Sequence, residues 1–231
     1  MAVYDLEEQE QIENFKAWWN RYGTLVTWIL CVLAIASVGW QGWQWRQNKL
    51  SAEAGTIFMS LQQAINSDNV PQVKLLAGEL TEKFGSTSYA PLGVLLAAKH
   101  AILMDDPQTA RLQLAWVVKH GGHEITDIAR LRLAGLLLDA REYEGALREL
   151  EPKPAAAFAA AYAELRGDIH VAEGKLEEAR AAYREAVSLQ QQALNEKAGE
   201  EKKGTPAEDT VEEPQISPLL QQKLDALGGT A

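Results

Sequence analysis

The chain has 231 residues and a mass of 25.4 kDa, room for one ordinary domain with appendages and too little for a large multidomain enzyme. Its 32 acidic residues against 22 basic ones give a net charge of −10, the wrong sign for neutralising phosphates, so nucleic acid is set aside as a partner. With Cys31 as the one cysteine, a monomer can build neither an intrachain disulfide nor a thiolate metal site.

Residues 1–21 carry Asp5, Glu7, Glu8, Glu10 and Glu13 against Lys16 and Arg21, an acidic N-terminal segment. No charge then occurs for 24 positions between Arg21 and Arg46, and the centre of that run reads from Leu25 to Val38 with hardly a polar group. About 20 apolar residues suffice for a helix to cross a bilayer. Trp18, Trp19 and Tyr22 stand at one end and Trp40, Trp43 and Trp45 at the other, where amphipathic rings favour the headgroup layer. The sequence thus predicts a transmembrane helix over 22–45, with these six aromatics as interface anchors. A cleaved signal peptide ending near Ala34-Ile35-Ala36 is the competing reading, opposed by the acidic leader and by the apolar run continuing to Trp40. Lys16 and Arg21 before the run balance Arg46 and Lys49 after it, so charge alone does not orient the segment.

From residue 46 to 192 the composition is that of helices, interrupted at 66–71, 85–86, 105–107, 121–122, 141–143 and 151–152 by caps, glycines and prolines. Gly167, Ala179 and Tyr183 are spaced as in a tetratricopeptide hairpin, where a small residue on each helix lets the two approach and a bulky one fills the space beside them. The same spacing recurs as Ala134, Ala146 and Leu150, as Ala98, Ala110 and Leu114, and as Ala64, Leu76 and Leu80. First members lie 34, 36 and 33 residues apart, which predicts four stacked hairpins in an all-α solenoid. Residues 193–217, rich in Glu, Lys, Gly, Thr and Pro, are expected to be an acidic disordered linker. Residues 218–229 then offer Pro218 at a first turn and Leu220, Leu224 and Leu227 at helical spacing, a short C-terminal capping helix.

The whole layout resembles the YfgM-like family of ancillary SecYEG translocon subunits. The resemblance is strongest at Leu165-Arg166-Gly167-Asp168, Gly174-Lys175, Ala179-Arg180, Leu131-Arg132-Leu133-Ala134 and the segment from Ser217 to Leu224. It implies a single-pass protein of the bacterial inner membrane, with a cytoplasmic N-terminus and a periplasmic repeat domain. Implied partners are the SecYEG translocon, a membrane-anchored parvulin-type periplasmic chaperone and unfolded secreted proteins. A different class of function is a membrane-tethered regulator that sequesters a cytoplasmic signalling protein through the acidic N-terminus.

In tetratricopeptide arrays the first helix of each hairpin lines a concave groove. That placement sends Leu92, Leu95, Lys99, Ile102 and Leu103 of one hairpin, and Ile128, Leu131, Leu138 and Asp139 of the next, toward a partner-binding groove; core packing between repeats would use the same residue types. No phosphate loop, nucleophile elbow or zinc-protease motif occurs, and no catalytic, metal or cofactor residue is expected. His120-Gly121-Gly122-His123 reads as a loop because a Gly-Gly break separates its histidines.

Overall fold

The computed structural model describes residues 4–201 and 217–228, all of whose regular elements are helices. They are α1 (Tyr4–Asn66), α2 (Val70–Lys83), α3 (Tyr89–Leu103), α4 (Pro107–His120), α5 (His123–Asp139), α6 (Tyr143–Glu149), α7 (Ala156–Ala172), α8 (Leu176–Glu201) and α9 (Pro218–Ala226). The chain divides into two units, residues 1–53 and 54–231.

The first unit is helical, and its aromatics pair along the helix: Trp18 with Tyr22 at 6.0 Å between ring centres and Trp40 with Trp43 at 5.4 Å. Thr27 donates its hydroxyl to the Gly23 carbonyl at 2.8 Å, the internal bond by which a threonine satisfies itself in an apolar helix. Leu25, Trp28, Val32, Leu33, Ile35 and Val38 are exposed over most of the helix circumference, and Thr24, Thr27 and Cys31 line a shallow depression on the side they leave open. Among the described residues no helix is long and apolar enough to cross a membrane. The expected span over 22–45 includes Val26, Ile29 and Leu30, whose side chains lie outside the described residues.

The second unit is a series of helical hairpins: the end of α1 with α2, α3 with α4, α5 with α6, and α7 with α8. All twelve periodic positions, from Ala64 through Leu80 to Gly167, Ala179 and Tyr183, are buried. Each hairpin also turns in the same way. Asp68, Asp105, Arg141 and Gly174 adopt left-handed backbone with φ of 50, 57, 60 and 78°. The amide after each donates back to a carbonyl five residues earlier: Asn69 to Ala64, Asp106 to Ala101, Glu142 to Leu137 and Lys175 to His170, at 2.8–2.9 Å. This is the Schellman closure of a helix C-terminus, and the residue that makes it is also the N-cap of the second helix in the first three hairpins. Asn69 and Asp106 accept from the backbone of Gln72 and Thr109, with Pro71 and Pro107 in the first turn, so one helix ends and the next starts within three residues.

Between hairpins a basic side chain reaches the next cap. Lys74 of α2 pairs with Asp106 at 2.7 Å and Arg111 of α4 pairs with Glu142 at 2.6 and 2.8 Å, giving successive second helices the same offset. The main core runs from Val94 through Leu114, Val117, Leu133 and Leu150 to Tyr162 and Ile169. A smaller cluster joins Ala163, Ala179, Tyr183 and Ala186 to Leu220 and Leu224 of α9. Helix α8 continues to Glu201, past the position at which the sequence expectation ends the repeats. The remainder of the expected linker, from 202 to 216, lies outside the described residues.

Candidate protein-interaction surface

Helix α3 is apolar on nearly every side because it packs on α2, α4 and α5 while keeping one strip uncovered. Its small buried residues, Ala90, Ala97, Ala98 and Ala101, let those helices approach closely. The uncovered strip carries Leu92, Lys99, Ile102 and Leu103, with Leu103 68% exposed and Leu92 40%. Leu95, at 7% exposure, instead belongs to the core and is not available to a ligand. On α5, Ile128, Leu131 and Leu138 are half-buried against the main core, and Asp139 is exposed at the helix end. The structure therefore places a free apolar strip on α3 and a mostly spent one on α5.

Two depressions escaped the sequence reading. One, of about 330 Å³, is lined by Lys74, Ala77, Gly78, Thr81, Leu112 and Trp116 on α2 and α4 together with Val94 of α3. Its signal in the sequence is Leu112, a 73% exposed aliphatic in the polar stripe of α4. The other, of about 440 Å³, lies where the 150–156 connection meets Tyr162 and Arg166 of α7 and Leu189 of α8.

The electrostatics of this unit serve positioning. Asp127, 8% exposed, accepts from the Ala155 amide at 2.9 Å and from the Tyr162 hydroxyl at 3.1 Å, tying α5 to the start of α7. Burial first, and then the charge of Asp127, pushes the pKa of the Tyr162 hydroxyl up, so it stays a donor. Asp106, held by Lys74 and by the side chain and amide of Thr109, has its carboxyl lowered to about 2. Lys223 of α9 lies 2.8 Å from Glu164 and 2.9 Å from Asp168. Burial opposes its charge, the two acidic partners outweigh burial, and its pKa rises. The His120 ring stacks on Trp116 at 4.4 Å between ring centres with its Nδ1 2.9 Å from the Trp116 carbonyl, a local helix-end contact. The His123 side chain lies outside the described residues. Among the described residues no group of three His, Cys, Asp or Glu side chains is placed to hold a metal ion.

Residues 16–229 match the family model described as a tetratricopeptide repeat-like domain. A protein of Neisseria gonorrhoeae named ancillary SecYEG translocon subunit is 26% identical over 98% of this chain and 100% of its own length. One of the same name from Aggregatibacter actinomycetemcomitans is 30% identical over 80% of this chain and 90% of its own. The chain belongs to the YfgM-like family of ancillary SecYEG translocon subunits. Other ancillary subunits of the family, from Haemophilus influenzae and Escherichia coli, are 27% and 23% identical over 80% and 81% of the chain. A solved structure, MamA 41-end from Desulfovibrio magneticus RS-1, superposes with a TM-score of 0.48 at 18% identity, covering 76% of this chain and 93% of that one. The repeat fold and the family together support a protein-interaction module with a Sec-associated role.

Proposed function

We propose that the protein is a membrane-anchored subunit of the Sec translocon that works by binding alone, with residues 22–45 as its single span and the hairpins as its docking surface. The observation that carries this reading is the near full-length match to ancillary SecYEG translocon subunits of several bacteria. For the span, the support is physical. No charged residue interrupts the helix from Leu25 to Val38, Leu25, Trp28, Val32, Leu33, Ile35 and Val38 stand exposed along it, and each large apolar side chain left in water forgoes about 1.5–3 kcal/mol of burial. A lipid bilayer removes that cost. Trp18, Trp19 and Tyr22, with Trp40, Trp43 and Trp45, then fall at the two headgroup layers.

In this reading residues 1–21 are cytoplasmic, and the repeats stand in the periplasm of the bacterial inner membrane. Anchoring confines the repeats near the channel, so the effective concentration there is high and weak intrinsic affinity suffices. Leu92, Ile102 and Leu103, with Lys99 beside them, suit an extended apolar segment such as a newly translocated unfolded protein. The partners are the SecYEG translocon and a membrane-anchored parvulin-type chaperone, which receives or holds the same clients. A topology reporter fused after Ala231 tests this placement. Activity confined to the periplasm, with the protein retained in membranes washed with alkaline carbonate, is the expected result. Cytosolic reporter activity, or release of the intact chain by carbonate, overturns it.

A further inference from the structure

Helix α9 is attached to the repeats as a ligand is attached to a receptor. Its nine residues are too few to hold a helix alone in water, so its order comes from the surface beneath it. That surface belongs to the smaller cluster, in which Leu220 and Leu224 sit on Ala163, Ala179, Tyr183 and Ala186; the main core, ending at Tyr162 and Ile169, holds no residue of α9. The contact is oriented by charge. Lys223 reaches both Glu164 and Asp168, Asp168 also accepts the Tyr183 hydroxyl at 2.7 Å, and the Ser217 amide donates to Gln190 at 3.0 Å. Sixteen residues, 202–217, separate α9 from α8. Fully extended they span on the order of 50 Å, far beyond the two to eight residues that usually join packed helices. Such a connection does not dictate which copy's groove the helix enters.

We propose that the α7–α8 face is a helix-docking groove whose occupant is exchangeable, so that α9 of a second copy of this chain inserts Leu220, Lys223 and Leu224 in place of the chain's own. A second copy is the occupant because α9 is the sequence whose fit to this groove the structure displays, in both apolar spacing and charge. Within one chain the tether supplies a high effective concentration and favours closure on itself. Exchange between chains emerges when many copies are confined together or when the contact within the chain is broken.

A charge swap in the full-length chain isolates the exchange. Lys223→Glu places an acid against Glu164 and Asp168, and Glu164→Lys with Asp168→Asn places a base against Lys223 while keeping an acceptor for Tyr183. Each variant is mismatched within its own chain, whereas a mixture of the two is matched in both directions across chains. The expected result, read by energy transfer between dyes on the two variants in detergent, is at least tenfold more paired chains in the mixture than in either variant alone. A chain carrying all three substitutions should return to the wild-type melting temperature and remain unpaired. If the mixture pairs no more than the separate variants, the exchange is overturned. If the triple variant fails to recover, the Lys223 contact does not orient α9 and the groove chemistry is overturned as well. Neither outcome touches the translocon assignment, which requires no exchange.

Discussion

The Tyr162 hydroxyl and the Asp127 carboxylate lie 3.1 Å apart in the interior, and the same carboxylate takes the Ala155 amide that opens α7. A buried acceptor with two donors thus joins the third hairpin to the fourth alongside the core they share. Asp127→Ala should therefore cost about 3 kcal/mol in denaturant unfolding, because it leaves a phenol and a backbone amide unpaired. Tyr162→Phe should cost less, and the double variant should be less destabilised than the sum of the two. Additive losses would mean the two residues act separately.

A Cβ on Gly167 would lie 2.4 Å from the Tyr183 ring. The ring cannot step aside freely, since its hydroxyl is held by Asp168. Gly167→Ala is expected to destabilise by about 2–3 kcal/mol through overpacking, and hydrogen exchange should accelerate first in α7 and α8. In a Tyr183→Ala background the same substitution should cost well under half as much.

Arg141 holds a left-handed conformation, φ 60°, where the fourth hairpin uses Gly174 at φ 78°. The penalty for a side chain there is about 1–2 kcal/mol, and part of it is offset by the greater freedom glycine has when unfolded. Arg141→Gly should raise stability by about 0.5–1 kcal/mol. Gly174→Arg should lower it by a comparable amount.

Asp106 sets a pH dependence with a definite sign. Its folded carboxyl is lowered to about 2, below the ordinary value, so its stabilising effect is complete above about pH 4 and disappears as pH falls toward 2. Asp106→Asn keeps an N-cap acceptor but removes the charge facing Lys74. Melting temperatures of wild type and variant should differ at pH 6 and converge by pH 2. A constant gap across that range would assign the effect to capping alone.

Much of this fold was legible because local chemistry and long-range packing agree. The 34-residue rhythm shows in Ala98, Ala110 and Leu114 since the close approach of two helices needs a small residue on each and a bulky one beside them, and the helix breaks show in Asn69-Val70-Pro71 and Asp106-Pro107 since cap and proline act locally. The interaction surface was harder to read. Leu92 and Leu95 are the same residue type one turn apart, yet one is exposed and the other core, a choice made by which neighbouring helix covers α3. The pairing of Lys74 with Asp106 and of Lys223 with Glu164 spans 32 and 59 residues, and no spacing rule marks such partners in advance. The Leu112 depression went unseen for the same reason, as it exists only where α2 and α4 stand side by side.

Photo-crosslinking in native membranes from a reactive residue placed at position 103 tests the central proposal most directly. The 68% exposed Leu103 site should yield adducts with translocon subunits or with a chain in transit. If position 103 is silent while reactive residues within 1–21 capture a cytoplasmic protein, the repeats are not the docking surface, and the tethered-regulator reading replaces this one.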